Sequence, residues 1–441
     1  FKGMGWVHAA YGSRGIINAG MGIQDHVRAA IQLTSKDIVR KVIYSHTGWR
    51  KIGDEWLYLN GSGAVGSKGI DQDISVSLDE NLALFSLPGL PDGVSVVEAI
   101  TQSLIMIDLA PPIISYGLLS SIYRAPLGEI EPIDFSDYIH GFTGTLKSAV
   151  AAIVQAHFGP DFKGKSLPAS WSSTANFLER LAFLVKDAVC VIDDFLPGGN
   201  IYEAAAMHSK ADRVLRAQGN LNGRGRMASD TSLRRTYKPR GLIVSTGEDV
   251  PKGQSLRARL YIMEVKPGDV DLSLLTILQQ KAATGVLAGA MFAYLQWLAP
   301  KIDDLKKLFP IIKVELRDRA IQDVKSHLRM PEIVASKMLG IDTFLKFAVE
   351  MNAITESRAT KIWQKAWGTF CAADATQAEL LQADDPVIRF IDLLNTAFIS
   401  GLAHLEDFAG GSPVQNPAAW GWEIGGSYNG QEILKPKGKK I

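Results

Sequence analysis

The chain has 441 residues, with 47 Lys and Arg against 46 Asp and Glu, a formal net charge of +1 and two cysteines. This length allows two or three domains, and 46% hydrophobic with 21% charged residues describes a soluble globular protein. The near-neutral charge excludes nucleic-acid binding through bulk charge, so any such role must rest on local basic patches. Two cysteines exclude a disulfide framework and favour a reducing, cytoplasmic location. Since the chain begins at Phe1 without a signal segment, we expect a fragment that lacks an upstream domain.

Residues 1–92 are predicted to form a β-rich N-terminal module. Short alternating runs at 42–44, 55–59 and 74–78 are separated by glycines, which is the pattern of strands and turns. Such a module could contact DNA, support oligomerisation or simply pack, and the sequence does not choose among these roles.

Residues 93–270 are predicted to form an α/β core around a P-loop. The spacing G-x-x-x-x-G-K-[ST] is present, except for one leucine where the last glycine is usual, in the residues Gly141, Phe142, Thr143, Gly144, Thr145, Leu146, Lys147 and Ser148. Apolar residues precede the motif and an alanine-rich run follows it, which predicts a strand, a loop and a helix. Backbone N–H groups would bind ATP phosphates, Lys147 would add a charge on the β- and γ-phosphates, and Ser148 would ligate Mg²⁺. The alternative is a glycine-rich turn that opens a helix.

Two acidic residues follow a run of small apolar residues at 188–192. This pattern predicts a buried parallel strand with carboxylates at its C-terminal edge, where ligands bind in open α/β sheets. Asp193 is expected to join the Mg²⁺ shell, and Asp194 is expected to orient and deprotonate the attacking water. The alternative is a strand that runs into an Asp-rich turn.

Two further buried strands are predicted downstream. The run 241–246 ends in hydroxyls, so Thr246 is the first candidate for a sensor of the γ-phosphate, and Ser245 is the second. Arg259 precedes a strand at 261–265, where oligomeric ATPases present an arginine finger to the neighbouring subunit's γ-phosphate, and Arg257 is the second candidate. A surface arginine is the alternative for each.

A local basic patch lies between the acidic strand and the hydroxyl strand. Nine Lys or Arg residues occur from Lys210 to Arg240, interleaved with glycines, which suits a loop that follows a phosphate backbone. The candidate contacts to single-stranded DNA are Arg224, Arg226, Arg234, Arg235, Lys238 and Arg240. The alternative is a solvated loop, or arginines paired with Asp212 and Asp230.

Residues 271–405 are predicted to form a helical lid, and 406–441 a linker with the start of a small module. The apolar run at 282–299 has the minimum length for a membrane span, but its Thr and Gln favour a buried helix. Arg329 is a candidate second arginine sensor, with Arg317 and Arg319 as competitors. The histidines lack metal-ligand spacing, so no structural zinc is expected.

The order of these features along the chain resembles that of an AAA+ ATPase. It runs from the P-loop through the acidic strand, the hydroxyl strand and the arginine strand to the helical segment. The resemblance implies a parallel sheet flanked by helices, with the β-rich module before it and the helical lid after it. A narrower resemblance, over about residues 1–310, is to phage and mobile-element proteins that include the Cch-type, MCM-like helicases of staphylococcal cassette chromosomes. It rests on segments 46–50, 141–148, 173–176, 191–194, 223–226, 239–241 and 245–248.

This resemblance implies a replicative DNA helicase, a hexameric ring that couples hydrolysis of ATP with Mg²⁺ to movement along single-stranded DNA. It further implies a primase module or another replication partner upstream. Two alternatives stay open. One is an ATP-binding switch or loader with little turnover, which Leu146 and the short Asp194 favour. The other is a small-molecule kinase, against which the long lid and the basic segment argue.

Overall fold

The computed structural model describes residues 4–17, 20–35, 42–227, 231–324, 329–382, 386–408, 410–429 and 431–440. The chain divides into two compact units, Phe1–Ile43 and Tyr44–Ile441. The domain boundaries expected at 92, 270 and 405 stay predictions.

The first unit contains two helices, α1 at Gly5–Tyr11 and α2 at Ile23–Thr34. The expectation of a β-rich module from residue 1 is therefore wrong for these segments. Ile23, Val27 and Ile31 recur every four residues, which is the period of a helix face, and no alternation competes with it.

The predicted strands of the N-terminal region form an antiparallel meander in the second unit. Its strands are β2 (Gly48–Ile52), β3 (Glu55–Asn60), β4 (Gly63–Gly66) and β5 (Gly69–Asp71), and the short strands β1 (Ile43–Tyr44) and β6 (Ser75–Val76) lie on either side in sequence. Trp49 anchors the meander to the core, because its indole donates to the Pro126 carbonyl at 2.8 Å and its backbone N–H donates to Asp187 Oδ2 at 2.9 Å.

The core is a five-stranded parallel sheet. Its strands, in spatial order, are β13 (Leu260–Glu264), β7 (Ser136–His140), β12 (Arg240–Gly247), β9 (Lys186–Phe195) and β8 (Ala169–Ser170). The Val and Ile runs of β9 and β12 are buried on both faces, as expected of strands covered by helices on each side. This architecture confirms the predicted α/β core. Since the strands are parallel, every C-terminal end lies at one edge of the sheet and every N-terminal end at the other.

Helices connect and cover the sheet. Those up to the end of β13 are α3 (Glu80–Ala83), α4 (Val96–Leu104), α5 (Pro112–Arg124), α6 (Lys147–Ala156), α7 (Ala175–Leu184), α8 (Ile201–Gly219) and α9 (Gln254–Arg257). Side-chain caps fix three of their starts: Ser95 accepts from the Glu98 N–H, Thr174 accepts from the Phe177 N–H, and Asn200 accepts from the N–H groups of Tyr202 and Glu203. Between α8 and β12 lies a short antiparallel hairpin of β10 (Arg226–Met227) and β11 (Leu233–Arg234).

The C-terminal part is mainly helical. Its helices are α10 (Leu272–Ala283), α11 (Val286–Leu298), α12 (Ile302–Asp323), α13 (Met330–Glu350), α14 (Glu356–Gln382) and α15 (Pro386–Ile399). Short strands follow: β14 (Ala403–His404), β15 (Trp422–Tyr428), β16 (Gln431–Pro436) and β17 (Lys439–Lys440). Helix α13 is buried along most of its length and packs against α5, α12 and α14. This part of the expected lid is therefore a layer of the core.

Most of the apolar run at 282–299 forms the buried helix α11, in which all residues but Gln296 and Trp297 are buried, while its first two residues end α10. Among the described residues no single helix has the length and composition of a membrane span, and only the bent pair Leu272–Ala283 and Val286–Asp323, at 65°, meets that test together.

Candidate functional site

The P-loop residues connect the end of β7 to the start of α6. Gly141 has φ 156° and Gly144 has φ 85°. A Cβ on Gly141 would lie 2.2 Å from the Val265 carbonyl oxygen, so only glycine fits there, whereas a Cβ on Gly144 would meet nothing within 4 Å. The loop therefore packs tightly against the sheet at its first glycine and faces open space at its second.

Leu146 occupies the conformation that glycine usually supplies in this motif. Its φ is 67°, in the left-handed region, and it is the last residue before α6. A left-handed conformation costs a non-glycine residue about 1–2 kcal/mol, and packing of the half-buried Leu146 side chain against the core offsets part of this cost. The loop thus follows the P-loop path without the final glycine.

Lys147 points back into the loop. Its Nζ donates to the carbonyl oxygens of Gly141 and Phe142, at 2.7 and 2.8 Å. Burial lowers the pKa of Lys147, and the charges of nearby Glu248, Asp193 and Asp194 oppose that shift. The first N–H groups of α6 have no preceding helical turn to bond, so a helix N-terminus and an ammonium, both chemically suited to an anion, belong to the same loop.

Two hydroxyl groups, those of Ser148 and Thr246, contact the same carboxylate oxygen of Asp193. The Ser148 hydroxyl donates to Asp193 Oδ1 at 2.8 Å, and the Thr246 hydroxyl donates to the same oxygen. The Thr246 Oγ also accepts from the Asp194 N–H at 3.0 Å. Three elements that were predicted separately, α6, β9 and β12, therefore meet at the C-terminal edge of the sheet beside the P-loop.

The two hydroxyls at the end of β12 have different surroundings. Ser245 accepts a hydrogen bond from the Trp171 indole at 2.7 Å and is fully buried, whereas Thr246 faces Asp193. Successive residues of a strand face opposite sides of the sheet, which separates the two. Thr246, the first candidate, is the hydroxyl at the site. Asp194 is exposed with φ 65°, at the end of the acidic strand.

Glu248 belongs to the same site, although no role was predicted for it. The Thr143 hydroxyl donates to Glu248 Oε1, and the carboxylate acts on the pKa of Lys147. Thr145, by contrast, is buried and its hydroxyl donates to the Phe142 carbonyl at 2.8 Å, inside the loop. The position of Glu248 just beyond a strand that ends in hydroxyls was the available signal in the sequence.

These groups fit a nucleoside triphosphate with Mg²⁺. An ammonium and a helix N-terminus suit phosphate oxygens, while a hydroxyl and a carboxylate already in contact are the hard oxygen ligands that Mg²⁺ prefers. Within the described ranges no three His, Cys, Asp or Glu side chains are grouped so as to hold a metal alone. Mg²⁺ usually binds through one or two protein oxygens together with substrate phosphates.

Arg259, the first candidate for the arginine finger, lies at the opposite edge of the sheet from this chain's own P-loop. Arg259 immediately precedes β13, at the N-terminal edge of the sheet, and the Ser136 N–H donates to its carbonyl at 3.0 Å. Its guanidinium donates to Asn220 Oδ1 and to Ser255 Oγ, both at 2.9 Å. Burial and then the charges of Arg329 and Arg216 lower the pKa of Arg259.

The other arginine candidates have fixed contacts. Arg257 donates to the Pro251 carbonyl at 3.0 Å. Arg329 donates to the Gly219 carbonyl at 3.1 Å, beside Arg259. Arg317 forms ion pairs with Asp318 and Glu332, and Arg319 lies over the rings of Trp363 and Trp367. Of the three lid arginines, Arg329 is therefore the one near the arginine strand.

Part of the basic segment forms a short hairpin, while Lys210, Arg213 and Arg216 lie on α8. Arg226 pairs with Arg234, and Met227 with Leu233, at the backbone. Asp230 and the side chains of Arg226 and Arg234 lie outside the described part of the chain. Arg224, Arg235 and Lys238 are exposed.

The rest of the basic segment is more constrained. Arg240 donates to the Phe183 carbonyl at 2.6 Å and its guanidinium lies 3.9 Å from that ring centroid. The Arg235 guanidinium lies 4.6 Å from the same ring. Arg216 is paired with Asp212, as the alternative to DNA contact expects, because its Nε is 3.1 Å from that carboxylate. Arg240 is thus tied to the core at the base of the hairpin.

No protein-family model and no curated protein matches the sequence. Among solved structures, the chain is similar to SCCmec type IV Cch, described as an active helicase, with a TM-score of 0.54 at 16% identity over 86% of this chain and 69% of that one. A structure of JCV helicase with a bound small molecule aligns at a TM-score of 0.29 and 13% identity over 58% of this chain and 69% of that one, which is too low to support an argument.

The parallel sheet with a P-loop at its C-terminal edge defines the class as a P-loop α/β fold. Within that class, the chain has the fold of a Cch helicase. This confirms, at the level of the fold, the resemblance that the sequence motifs indicate.

Proposed function

We propose that the chain is an ATP-dependent DNA helicase that works as a ring. The observation that carries this proposal is the convergence of Ser148 and Thr246 on Asp193 Oδ1 beside the P-loop. A hydroxyl on the P-loop helix, a strand-end carboxylate and a strand-end hydroxyl are the groups that phosphoryl transfer to water requires in one place.

Each residue has a defined task in this proposal. Lys147 leaves the carbonyls of Gly141 and Phe142 and binds the terminal phosphates, while the N–H groups of α6 hold the phosphate oxygens. Ser148 and Asp193 would hold Mg²⁺, which would neutralise charge on the phosphates when bound. Thr246 orients Asp193 and the Asp194 backbone, and the exposed Asp194 carboxylate accepts the proton of the attacking water.

The remaining roles, contact with a neighbouring subunit and with DNA, fall to the arginines and the hairpin. Arg259 lies at the opposite edge of the sheet from its own P-loop, so we assign it to the P-loop of a neighbouring subunit in a hexamer. Arg224, Arg235 and Lys238 are exposed on or beside the hairpin and would follow the phosphates of single-stranded DNA. Arg226 and Arg234 are assigned to the same contact, whereas Arg240 supports the hairpin.

The test is the steady-state ATPase rate with and without single-stranded DNA, for the wild type and Lys147→Ala. Stimulation by DNA that is absent in the variant, together with ATP-dependent strand displacement, is the expected result. If single-stranded DNA does not change the ATPase rate of the wild type assembled as a ring, the helicase proposal is contradicted.

A second candidate is an ATP-binding switch or loader that acts on a replication partner with little turnover. The left-handed Leu146 favours it, because the loop stores strain where an ATPase usually has glycine. ATP binding that assembles the protein without sustained hydrolysis would support this function.

A further inference from the structure

The C-terminal end of α8 gathers three arginine side chains from different parts of the chain. Arg216 lies in the last turn of the helix, Arg259 precedes β13, and Arg329 precedes α13. The Arg329 guanidinium donates to the Gly219 carbonyl at 3.1 Å. The carbonyl groups at a helix C-terminus carry a partial negative charge, which favours cations at this position.

Three residues fix the position of Arg259. Its Nε donates to Asn220 Oδ1 and its Nη1 donates to Ser255 Oγ, both at 2.9 Å. Its aliphatic stem lies on Gly219, where a Cβ would come within 2.5 Å of Arg259 Cδ and 2.9 Å of its Cβ. The remaining amino group, Nη2, has no hydrogen bond within the described part of the chain and is not buried, so it can meet an anion from outside.

Asn220 is also the residue at which α8 ends and the segment toward the basic hairpin begins. The N–H of the next residue, Leu221, donates to the Gln218 carbonyl at 3.1 Å. The N–H of Asn222 donates to the Ala217 carbonyl, also at 3.1 Å. Leu221 has φ 49°, so this turn has the bonds and the left-handed residue of a Schellman motif. The turn therefore ties the helix end firmly to the segment that follows.

That segment is also packed tightly at the base of the hairpin. A Cβ on Gly223 would lie 2.5 Å from the Tyr237 carbonyl oxygen, on the strand that returns to the sheet. The Tyr237 ring lies 5.3 Å from the Phe183 ring, between centroids. The exposed Arg224, a candidate contact to DNA, comes directly after Gly223. A candidate DNA contact is thus joined to Asn220 by a short, closely packed stretch of chain.

We propose that Asn220 couples the hairpin of one subunit to ATP hydrolysis in the next. Single-stranded DNA on the hairpin sets the position of the Asn220 carboxamide, and the carboxamide sets the direction in which Arg259 presents Nη2. Asn220 is a positioning residue, because it acts only through Arg259. This inference rests on the proposed function, in which Arg259 serves the P-loop of a neighbouring subunit. It adds that the subunit in contact with DNA is not the one whose ATP is hydrolysed.

The first experiment measures the ATPase rate with and without oligothymidine for the wild type, Asn220→Ala and Asn220→Asp. Alanine removes the acceptor for Arg259 Nε and is expected to abolish the stimulation by DNA, whereas aspartate keeps an oxygen there and is expected to retain it. Asn222→Ala is the matched control, expected to behave as the wild type, because its side chain accepts from the Gly223 N–H and not from Arg259. If Asn220→Ala lowers the rates with and without DNA by the same factor, the coupling is overturned.

Mixed rings show which subunit receives the signal. The double variant Arg224→Ala with Lys238→Ala lacks two exposed DNA contacts but keeps its P-loop, and Lys147→Ala keeps its hairpin without a working P-loop. Stimulation by DNA that neither protein shows alone is expected on mixing, at roughly a quarter of the interfaces. Adding Asn220→Ala to the Lys147→Ala protein is expected to prevent it. Mixed rings that DNA does not stimulate would mean that a hairpin acts on its own subunit, which overturns the proposal.

The affinity for DNA gives a test that needs no hydrolysis. Coupling between two binding sites is reciprocal, so a non-hydrolysable ATP analogue should tighten the binding of labelled oligothymidine. Fluorescence anisotropy is expected to show about ten-fold tighter binding for the wild type and no change for Asn220→Ala. Equal tightening in both proteins would overturn the coupling alone. A wild type that does not bind oligothymidine would contradict the proposed function and this inference with it.

Discussion

The Lys337 ammonium lies 2.6 Å from Asp137 Oδ1, and both side chains are fully buried. Lys337 also donates to Ser121 Oγ at 2.7 Å and to the Gly117 carbonyl at 2.9 Å. This cluster joins α13 and α5 to β7, the strand that leads into the P-loop. Helix α13 is therefore bonded to the strand that precedes the candidate nucleotide site.

Removal of one charge from this pair should be strongly destabilising. Lys337→Met leaves a buried carboxylate without its cation, and the free energy of unfolding should fall by about 3–5 kcal/mol. The double variant Lys337→Met with Asp137→Asn buries no charge and should recover much of that loss. Urea denaturation of the wild type and the two variants measures the effect, and a double variant no more stable than Lys337→Met would contradict it.

The two hydroxyls of β12 should separate catalysis from stability. Thr246→Val removes the hydrogen bond to Asp193 at constant volume, so kcat should fall about 10–100-fold with little change in KM. Ser245→Ala leaves the buried Trp171 indole N–H unpaired, so it should lower the free energy of unfolding by about 1–3 kcal/mol and spare kcat in the folded protein. Steady-state kinetics and urea titrations of both variants check this, and a reversed pattern would show that Ser245 is the sensor.

Position 146 should tolerate glycine but not a β-branched residue. Leu146→Gly relieves the left-handed strain and should retain nucleotide binding. Leu146→Val, which resists φ near 67°, should weaken it by about ten-fold. Titration with a fluorescent ATP analogue gives both affinities. If valine binds as tightly as leucine, the left-handed backbone is not needed for binding.

Arginine action between subunits can be tested by mixing two inactive variants. Lys147→Ala lacks the P-loop charge and Arg259→Ala lacks the arginine. In random mixed rings, roughly a quarter of the interfaces pair an intact P-loop with an intact arginine. Partial recovery of ATPase activity on mixing is therefore expected.

Arg257→Ala, mixed in the same way, decides between the two arginines. Recovery only in the Arg257→Ala mixture would assign the finger to Arg257. An Arg259→Ala protein that hydrolyses ATP normally by itself would contradict the assignment of Arg259.

His157 should make the protein sensitive to acid. It is fully buried between Ser103 Oγ and the Ile153 carbonyl, each 2.9 Å from a ring nitrogen, and burial lowers its pKa to about 4. The unfolded chain therefore takes up a proton near pH 6.5 that the folded chain resists. About 3 kcal/mol of stability should be present above that pH and be lost as the pH falls through about 4. Urea midpoints across this range should fall less steeply for His157→Gln than for the wild type.

The sequence predicts the sheet and the loop between β7 and α6 because both have local signatures. Runs of Val and Ile predict β9 and β12, and the order of motifs places their ends at one edge. The choice of Thr246 over Ser245 depends on which face of β12 packs against Trp171. The sequence around β12 does not show which residues lie on that face.

Other features depend on contacts that are distant in sequence. Asp137 and Lys337 are 200 residues apart, so no spacing predicts their pairing. The hairpin of β10 and β11 was missed because its short strands carry arginines instead of an apolar alternation.

Strand β12 has Arg240 at one end, below the hairpin, and Thr246 at the other, beside the P-loop. Its eight residues span about 25 Å, and it is bonded on both sides, to β7 and β9. A strand held in this way resists bending and stretching. We therefore expect a load applied at Arg240 to reach Thr246 as a displacement of the whole sheet, with little extension of the strand itself.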